Sequence, residues 1–306
     1  MPMHELETVI AIPPLPFRGG AVDKGAHQKN LRFLIQRNFL DGGRRRAIGV
    51  AGTSLVHHID GDTLVEVMRI TGETVDQDAV VLAGLLAAPP SEARKVVERC
   101  MKLKRPPDYF LIMPVPGVWN PEGLVAELDA LTRACAHQFG ARFLLYMRSS
   151  DLLDAYASLL CSSSSILGAK VGTRESDVAT LRGMLPPEKL VLWGVGDRAT
   201  EAARLGSRGH TSGITLICPK VCDDIHNAYS KGDFAAAARI EDLIAEFEDI
   251  RFMESRAYNY SAVVAAAQLA GFKDVDLGEG GPFNAGPPSH VLSRLTACVK
   301  TLRDYH

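Results

Sequence analysis

The chain has 306 residues, of which 46% are hydrophobic and 23% are charged, and these proportions exclude a disordered chain or a small disulfide-stapled protein. Lys and Arg number 34 against 36 Asp and Glu, so there is no excess of positive charge to bind nucleic acid or an anionic membrane. No apolar run approaches the roughly 20 residues that cross a bilayer, and the N-terminal segment is acidic where a signal peptide is basic. We therefore expect a soluble, cytoplasmic protein with a small-molecule partner.

The six cysteines are scattered along the chain without a CxxC pair. The closest two, Cys218 and Cys222, are one residue farther apart than in a zinc knuckle. The pattern predicts buried thiols in a reducing compartment.

Apolar runs rich in Val, Ile and Leu predict the strands of a parallel sheet. They are continuous rather than alternating, which is typical of strands that are covered on both faces. The eight runs are residues 8–12, 46–52, 79–86, 109–115, 143–147, 165–170, 190–195 and 213–217. Most of the gaps between them have helical periodicity, as in residues 62–70, 91–103, 122–139, 151–160 and 198–205.

This βα alternation fits either a closed (β/α)8 TIM barrel or an open doubly wound sheet. Eight strands favour the barrel, which we place at residues 1–222, with a C-terminal helical region packed on it at residues 223–306. Within that region, helices are expected at residues 228–247 and 258–270 and from Ser289 onward. Gly194 and Gly196 follow a strand but lack the third glycine of a dinucleotide motif, and no phosphate-binding loop motif occurs.

Two residues at the ends of neighbouring predicted strands indicate carbonyl chemistry. Lys170 closes an apolar stretch, where desolvation favours the neutral amine that attacks ketones and forms a Schiff base. Tyr146 ends the preceding strand, where a phenol can move protons to and from such an adduct. In the alternative interpretation, Lys170 extends into solvent and Tyr146 is an ordinary core residue.

A third strand end carries small polar residues. Thr53 and Ser54 follow Gly52, and their hydroxyl and N–H groups are suited to hold a carboxylate. Ordinary turn chemistry is the alternative.

Further short segments join these strand ends in a fixed order and spacing. They are Pro14-Leu-Pro16-Phe17, Gly20-Ala-Val-Asp23, Gly52-Thr53-Ser54, Pro114 with Glu122-Gly-Leu124, Leu145-Tyr146, Gly168-Ala-Lys170, Gly213-Ile214-Thr215, Lys231-Gly-Asp233 and Tyr258-Asn259. Together, these segments resemble the dihydrodipicolinate synthase / N-acetylneuraminate lyase family, whose members are class I aldolases on a (β/α)8 barrel. The resemblance spans roughly the whole chain.

The resemblance implies a role for each matching residue. Lys170 corresponds to the Schiff-base lysine, which needs no separate cofactor, and Tyr146 corresponds to the catalytic tyrosine. Thr53 and Ser54 fall in the loop that binds the keto-acid carboxylate. The backbone at Gly213 and Ile214 corresponds to the segment that faces the substrate. Since relatives are commonly tetramers built from dimers, we also expect a homo-oligomer, either a dimer or a tetramer.

The departures from the family pattern point to a divergent member. Leu55-Val56 replaces the Gly-Glu pair of the carboxylate loop, and Pro114-Val115-Pro116 stands where the family has a tyrosine pair that completes a proton relay. Arg148 is a candidate for the family arginine that meets the carboxylate of the second substrate. True dihydrodipicolinate synthase activity is therefore not expected.

Two groups of metal-type residues are better explained without a metal. Adjacent His57 and His58 point in opposite directions on an extended loop, and Asp60 is suited to cap the helix that starts near Thr63. The histidines are alternatively candidates for lining the substrate pocket. The second group, Asp223-Asp224-Ile-His226, lies far along the chain. Residues 44–46, three arginines in a row, predict a solvated turn.

The expected function is that of a Schiff-base-forming lyase or aldolase that acts on pyruvate or a pyruvate-derived 2-keto acid. Three alternatives remain open at this point. They are a 2-keto-3-deoxy sugar-acid dehydratase on the same scaffold, a keto-acid-binding paralogue without turnover, and a metal-dependent aldolase.

Overall fold

The computed structural model describes residues 3–306, and eight of its strands close into a parallel barrel, as the apolar runs predict. Each strand pairs with the next, and the last pairs with the first. The barrel strands are β1 (Val9–Ala11), β4 (Ala47–Val50), β5 (Val81–Leu85), β6 (Tyr109–Ile112), β7 (Phe143–Met147), β8 (Ile166–Val171), β9 (Leu190–Trp193) and β10 (His210–Ser212). A separate antiparallel hairpin, β2 (Phe17–Arg18) with β3 (Ala21–Val22), follows the first strand.

Helices surround the barrel and form the C-terminal region. They are α1 (Lys24–Gln36), α2 (Gly61–Val75), α3 (Pro90–Met101), α4 (Pro121–Phe139), α5 (Leu153–Ser162), α6 (Glu175–Met184), α7 (Thr200–Arg204), α8 (Pro219–Ser230), α9 (Phe234–Glu241), α10 (Ala245–Arg256), α11 (Ser261–Ala270) and α12 (Ser289–Leu302). Across residues 3–306, none of these helices has both the length and the apolar character needed to span a membrane.

Strand register determines which side chains meet inside the barrel. In β7 and β8, Tyr146 lies directly opposite Lys170, and Lys170 in turn lies opposite Leu192 of β9. Opposite residues on adjacent parallel strands point to the same face. The register therefore places Lys170 and Tyr146 side by side near the carboxyl ends of their strands.

The predicted eighth strand at residues 213–217 is wrong. The strand is β10, and the following residues form a tight buried turn in which the N–H groups of Ile217 and Cys218 both donate to the carbonyl of Ile214, at 2.8 and 3.1 Å. Ile214, Leu216 and Ile217 are fully buried, and a short buried turn has the same run of apolar residues as a short buried strand.

The helix predicted at residues 228–247 is also wrong as a single element. Helix α8 ends at Ser230, and Gly232 adopts a φ of 78° in the following turn. Asp233 then caps α9 by accepting from the N–H of Ala236 at 2.9 Å. Since α8 runs across residue 222, we propose the border between the barrel and the C-terminal region at the end of this helix.

The predicted solvated turn at residues 44–46 is correct for Arg44 and Arg45 but wrong for Arg46, which is 3% exposed. Its guanidinium donates to both carboxylate oxygens of Asp223 in α8, at 2.7 and 2.5 Å, and to the carbonyl of Leu34. One member of the basic triplet thus forms a buried ion pair, which composition alone does not distinguish from a surface turn.

All six cysteines are free, but the prediction that they are buried is wrong for two of them. Cys161 is exposed near the end of α5, and Cys298 is half-buried on α12. Both lie on amphipathic helices close to the solvent boundary, a position that a count of cysteines does not reveal.

Candidate active site

A cavity of about 490 Å³ opens at the carboxyl end of the barrel strands. Five of the predicted site residues line it, namely Lys170, Tyr146, Thr53, Gly213 and Arg148. Residues of the C-terminal region complete the wall: Arg251, Phe252, Ser255, Arg256, Asn259, Tyr260 and Asn284. The barrel and the C-terminal helices therefore build this cavity together.

Lys170 is 5% exposed, and its amine lies 4.1 Å from the centroid of the Tyr146 ring. Burial lowers the pKa of the Lys170 amine, and the positive charges of Arg256 and Arg148 lower the pKa further, against a raising effect from Tyr146. The neutral, nucleophilic amine is therefore more populated than for a lysine in water.

A second buried lysine shows the ordinary way of accommodating such a group. Lys189 is 8% exposed and donates to the carbonyls of Ser163 and Ile166, both at 2.6 Å. Burial lowers the pKa of the Lys189 amine as well, but these two acceptors favour its ammonium form, which has three protons to donate. The amine of Lys170 instead lies over an aromatic ring, and the positive charges of Arg256 and Arg148 act on it to lower its pKa.

Tyr146 is 4% exposed and surrounded by cations. Burial alone would raise the pKa of its hydroxyl, but Lys170, Arg256 and Arg148 outweigh that effect and lower the pKa to about 8. Arg256 also donates to the hydroxyl at 3.3 Å, and the Arg148 guanidinium carbon is 5.7 Å from the ring centroid. A phenol with this pKa can both give and take a proton near neutral pH.

Thr53 belongs to a connected polar wall. Its hydroxyl oxygen accepts from the amide of Asn259 at 3.4 Å, and the carbonyl of that amide accepts from Arg251 at 2.6 Å. Arg251 is 1% exposed and is also paired with the carboxylate of Glu248. A Cβ atom on Gly213 would lie 2.2 Å from Nη2 of Arg251 and 3.2 Å from Oγ1 of Thr53, so only glycine leaves room here.

Ser54 and Ile214 are adjacent to the cavity but are not among the residues that line it. The Ser54 hydroxyl donates to the carbonyl of Pro13 at 2.7 Å and accepts from the N–H of Ala51 at 3.2 Å. The N–H of Ile214 donates to the Ser212 hydroxyl at 3.3 Å. These hydrogen bonds stabilise the turns in which Ser54 and Ile214 lie, and the substrate contacts of the two residues stay predictions.

His57 and His58 are exposed residues at the cavity wall, so the interpretation that they line the pocket agrees with their position. Although His57 is exposed, the surrounding cavity wall partly desolvates its ring, and this effect, together with the positive charges of His58 and Arg148, lowers the pKa of His57. Asp60 accepts from the N–H of Thr63 at 2.7 Å and caps α2, as predicted. Over residues 3–306, no group of three or more His, Cys, Asp or Glu side chains is arranged to hold a metal ion.

The two cavity arginines from the C-terminal region, Arg251 and Arg256, were not anticipated from the sequence. Arg251 lies in the middle of α10 and Arg256 at its end, and no motif or periodicity connects that helix with the strand ends. Gly194 and Gly196 were a weak signal in the sequence that bulky site residues pack closely against this segment. A Cβ atom at these positions would come within 2.5 Å of Cε of Lys170 and 1.8 Å of a Glu248 carboxylate oxygen, respectively. The two glycines thus provide space for site residues and not for a dinucleotide.

The amino-acid sequence and the fold both have relatives. Among the curated proteins, a 4-hydroxy-tetrahydrodipicolinate synthase of Thermodesulfovibrio yellowstonii is 24% identical over 245 residues, which covers 78% of this chain and 81% of the relative. A protein of the same name from Anaeromyxobacter sp. (strain K) is 27% identical over 277 residues, which covers 88% of this chain and 89% of the relative.

Solved structures resemble the whole chain. A dihydrodipicolinate synthase from Bacillus clausii superposes with a TM-score of 0.85 at 21% identity, covering 97% of this chain and 98% of that one. A sialic acid aldolase of Ruminococcus gnavus, in the form of a catalytic lysine mutant, superposes with a TM-score of 0.82 at 11% identity, covering 100% and 98%. At these identities the likeness establishes the fold, and the (β/α)8 barrel is shared by all three proteins.

The family model described as the dihydrodipicolinate synthetase family matches residues 5–278, which includes every barrel strand and most of the cavity wall. Its members have the aldolase or lyase type of barrel described above. The chain belongs to the dihydrodipicolinate synthetase family.

Proposed function

We propose that this protein is a Schiff-base-forming lyase or aldolase that acts on pyruvate or a pyruvate-derived 2-keto acid. The observation that carries the proposal is the pair formed by Lys170 and Tyr146, a desolvated amine 4.1 Å from the ring of a tyrosine whose pKa is lowered to about 8. Both residues face a cavity large enough for a small keto acid. In this proposal no separate cofactor is needed, because the lysine itself is the covalent electron sink.

The proposed reaction begins with attack of the neutral Lys170 amine on the ketone carbon. The resulting carbinolamine takes a proton on its hydroxyl from Tyr146 and loses water, which leaves an iminium and a tyrosinate. The tyrosinate then removes a proton from the substrate. If that proton comes from a hydroxyl on the fourth carbon, the bond between the third and fourth carbons breaks, giving an aldehyde and an enamine.

The polar wall supports a carboxylate-bearing substrate. Arg251, Arg256 and Arg148 all line the cavity, and Glu248 is paired with only the first of them. The Thr53 hydroxyl lies beside Gly213, where the backbone is open to the cavity. We propose that Thr53 and the Gly213 backbone hold the carboxylate next to the ketone, and that Arg148 meets a polar group at the far end of the substrate.

Divergence from dihydrodipicolinate synthase is also part of the proposal. Val115 and Pro116 line the cavity where the family pattern has a tyrosine pair, and Leu55 lines it where the family pattern has a glycine, so this part of the wall is more apolar. This wall suits a different second substrate. The dehydration of a 2-keto-3-deoxy sugar acid remains a second candidate, since the same enamine can expel a β-hydroxyl group and the cavity supplies several cationic donors.

The proposal is tested by reducing the protein with borohydride in the presence of pyruvate and locating the added mass by peptide mapping. We expect a pyruvyl adduct on Lys170 and none on Lys189, whose amine is held by two carbonyls. Absence of the adduct in folded wild-type protein would contradict the proposal. A keto-acid-binding paralogue would bind pyruvate without forming the adduct, and a metal-dependent aldolase would lose activity in chelator.

We propose a cytoplasmic location and a homo-oligomer, either a dimer or a tetramer. Sedimentation equilibrium on the full chain measures the oligomeric state directly.

A further inference from the structure

The hydroxyl of Tyr146 is held by a side chain from outside the barrel. Arg256 donates through Nη1 to this hydroxyl at 3.3 Å and through Nη2 to the carbonyl of Gly172 at 2.8 Å. Its guanidinium carbon is also 5.2 Å from the ring centroid of Phe252. Two hydrogen bonds and one stacking contact fix the planar group in a single orientation.

The direction of these hydrogen bonds matters for proton transfer. Arginine has only donors, so the Tyr146 oxygen must be the acceptor in its contact with Arg256. The hydroxyl proton of Tyr146 is therefore directed away from Arg256 and is free to be donated to another group. The amine of Lys170 lies over the face of the Tyr146 ring, and both residues line the cavity.

The backbone that carries Arg256 is unusual. Glu254, Ser255 and Arg256 have φ angles of 49°, 58° and 76°, all in the left-handed region that non-glycine residues rarely adopt. A run of three such residues is strained and persists only where the surroundings hold it in place. Here the run turns the chain at the end of α10, so that Arg256 enters the cavity.

We propose that Arg256 is the positioning residue that orients the Tyr146 hydroxyl for proton transfer at Lys170 and stabilises the tyrosinate formed when that proton leaves. This role rests on the proposed function, because the proton transfer belongs to the Schiff-base reaction proposed for Lys170. In the step itself, the tyrosine proton moves to the carbinolamine hydroxyl, water departs, and the positive charge of the new iminium is balanced by the tyrosinate. Arg256 keeps both of its hydrogen bonds throughout.

The charged groups that face Tyr146 come from three elements. They are Lys170 from β8, Arg148 from the end of its own strand β7, and Arg256 from the end of α10. Among them, Arg256 forms the direct hydrogen bond and can be removed without changing the nucleophile. Its contribution is therefore separable from that of Lys170.

The test is a titration of the folded protein followed by the ultraviolet absorbance of phenolate. Wild type should contain one tyrosine with a midpoint near pH 8, absent in Tyr146→Phe. Burial raises the pKa of Tyr109, Tyr156, Tyr229 and Tyr260, so these residues do not obscure it. Arg256→Gln should move the midpoint upward by roughly one unit or more, and Arg256→Lys should largely retain it.

Arg133→Gln is the matched control, because Arg133 is an exposed arginine on α4 that pairs with Asp129. It should leave the midpoint unchanged. The rate of borohydride trapping with pyruvate is the second readout, and we expect Arg256→Gln to slow it by about 10- to 100-fold. If trapping fails in wild type, the proposed function is wrong, yet the titration still tests the contact.

The inference is overturned if Arg256→Gln has the same midpoint as wild type and Arg133→Gln. It is also overturned, without any variant, if no tyrosine of the wild-type protein titrates below its ordinary pKa of about 10. The wild-type titration can therefore overturn the inference even if Arg256→Gln fails to fold.

Discussion

Gly194 of the segment after β9 makes room for Lys170 of β8. A Cβ atom on this glycine would lie 2.5 Å from Cε and 2.7 Å from Cγ of the lysine, closer than real carbon atoms approach. The side chain of Lys170 is therefore held against bare backbone on one side and the Tyr146 ring on the other.

This contact predicts the effect of Gly194→Ala. The methyl group should displace the Lys170 amine from Tyr146 and slow pyruvate trapping by roughly 100-fold, the usual effect of moving a reacting group by about 1 Å. Gly183→Ala is the matched control, because the added atom meets nothing within 4 Å on helix α6. It should trap normally and gain about 1 kcal/mol of stability from helix propensity. Equal trapping rates in the two variants would refute the prediction.

A second prediction concerns the stability cost of Lys170. In the unfolded chain its pKa is near 10.4, whereas burial lowers the pKa of the folded-state amine. Between the two values the folded protein binds fewer protons than the unfolded chain, so stability increases as pH rises through that window. Lys170→Met lacks this titration, and it should be about 1–2 kcal/mol more stable than wild type at pH 7. The difference should shrink towards pH 10 in urea unfolding.

Lys189→Met is the comparison variant for that measurement: burial lowers the pKa of Lys189 too, but we expect this variant to be less stable than wild type because the Lys189 amine has two hydrogen-bond acceptors. Lys189 donates to the carbonyls of Ser163 and Ile166, which the methionine would leave unpaired in a buried place. If Lys170→Met is instead the less stable of the two variants at pH 7, burial of the Lys170 amine does not reduce the free energy of unfolding.

The polar wall predicts different effects for two adjacent hydroxyl residues. Thr53→Val removes the hydroxyl that lines the cavity, and it should raise the pyruvate concentration for half-maximal trapping about tenfold, equivalent to about 1.4 kcal/mol. Ser54→Ala should leave that concentration unchanged, because its hydroxyl contacts Pro13 and Ala51. It should instead reduce stability by about 1 kcal/mol. A shift of pyruvate affinity in Ser54→Ala alone would reverse the assignment.

Two neighbouring aspartates of α8 provide a test of the packing beneath the site. Asp223 is fully buried and pairs with buried Arg46, so Asp223→Asn should cost about 3–5 kcal/mol by leaving a buried charge without its counter-ion. Asp224 pairs with Lys220 near the surface, and Asp224→Asn should cost less than about 1 kcal/mol. Urea unfolding measures both. Similar losses in the two variants would contradict the account of Arg46.

The sequence allowed much of the barrel to be predicted, because a strand covered on both faces is apolar at every position. Seven of the eight predicted runs overlap a barrel strand, and the ends of β7 and β8 place Tyr146 and Lys170 together. The eighth run failed because the turn around Ile214 is buried and therefore apolar too.

The rest of the site depends on long-range contacts. Arg251 and Arg256 reach the cavity through the packing of α10 on the barrel. The backbone at residues 254–256 is left-handed, although none of the three is a glycine that would have predicted this conformation. Ser54 looked like a carboxylate ligand by type and position, but its hydroxyl is satisfied by Pro13 and Ala51, which only the folded turn brings near.

The most direct test is a crystal structure of the wild-type protein soaked in pyruvate. We predict continuous electron density from Nζ of Lys170 to the second carbon of pyruvate, with the carboxylate at the Thr53 hydroxyl and the Tyr146 hydroxyl beside the new bond. Pyruvate bound without a covalent link, or a Lys170 side chain turned away from Tyr146 into solvent, would contradict the assignment of Lys170 as the Schiff-base residue.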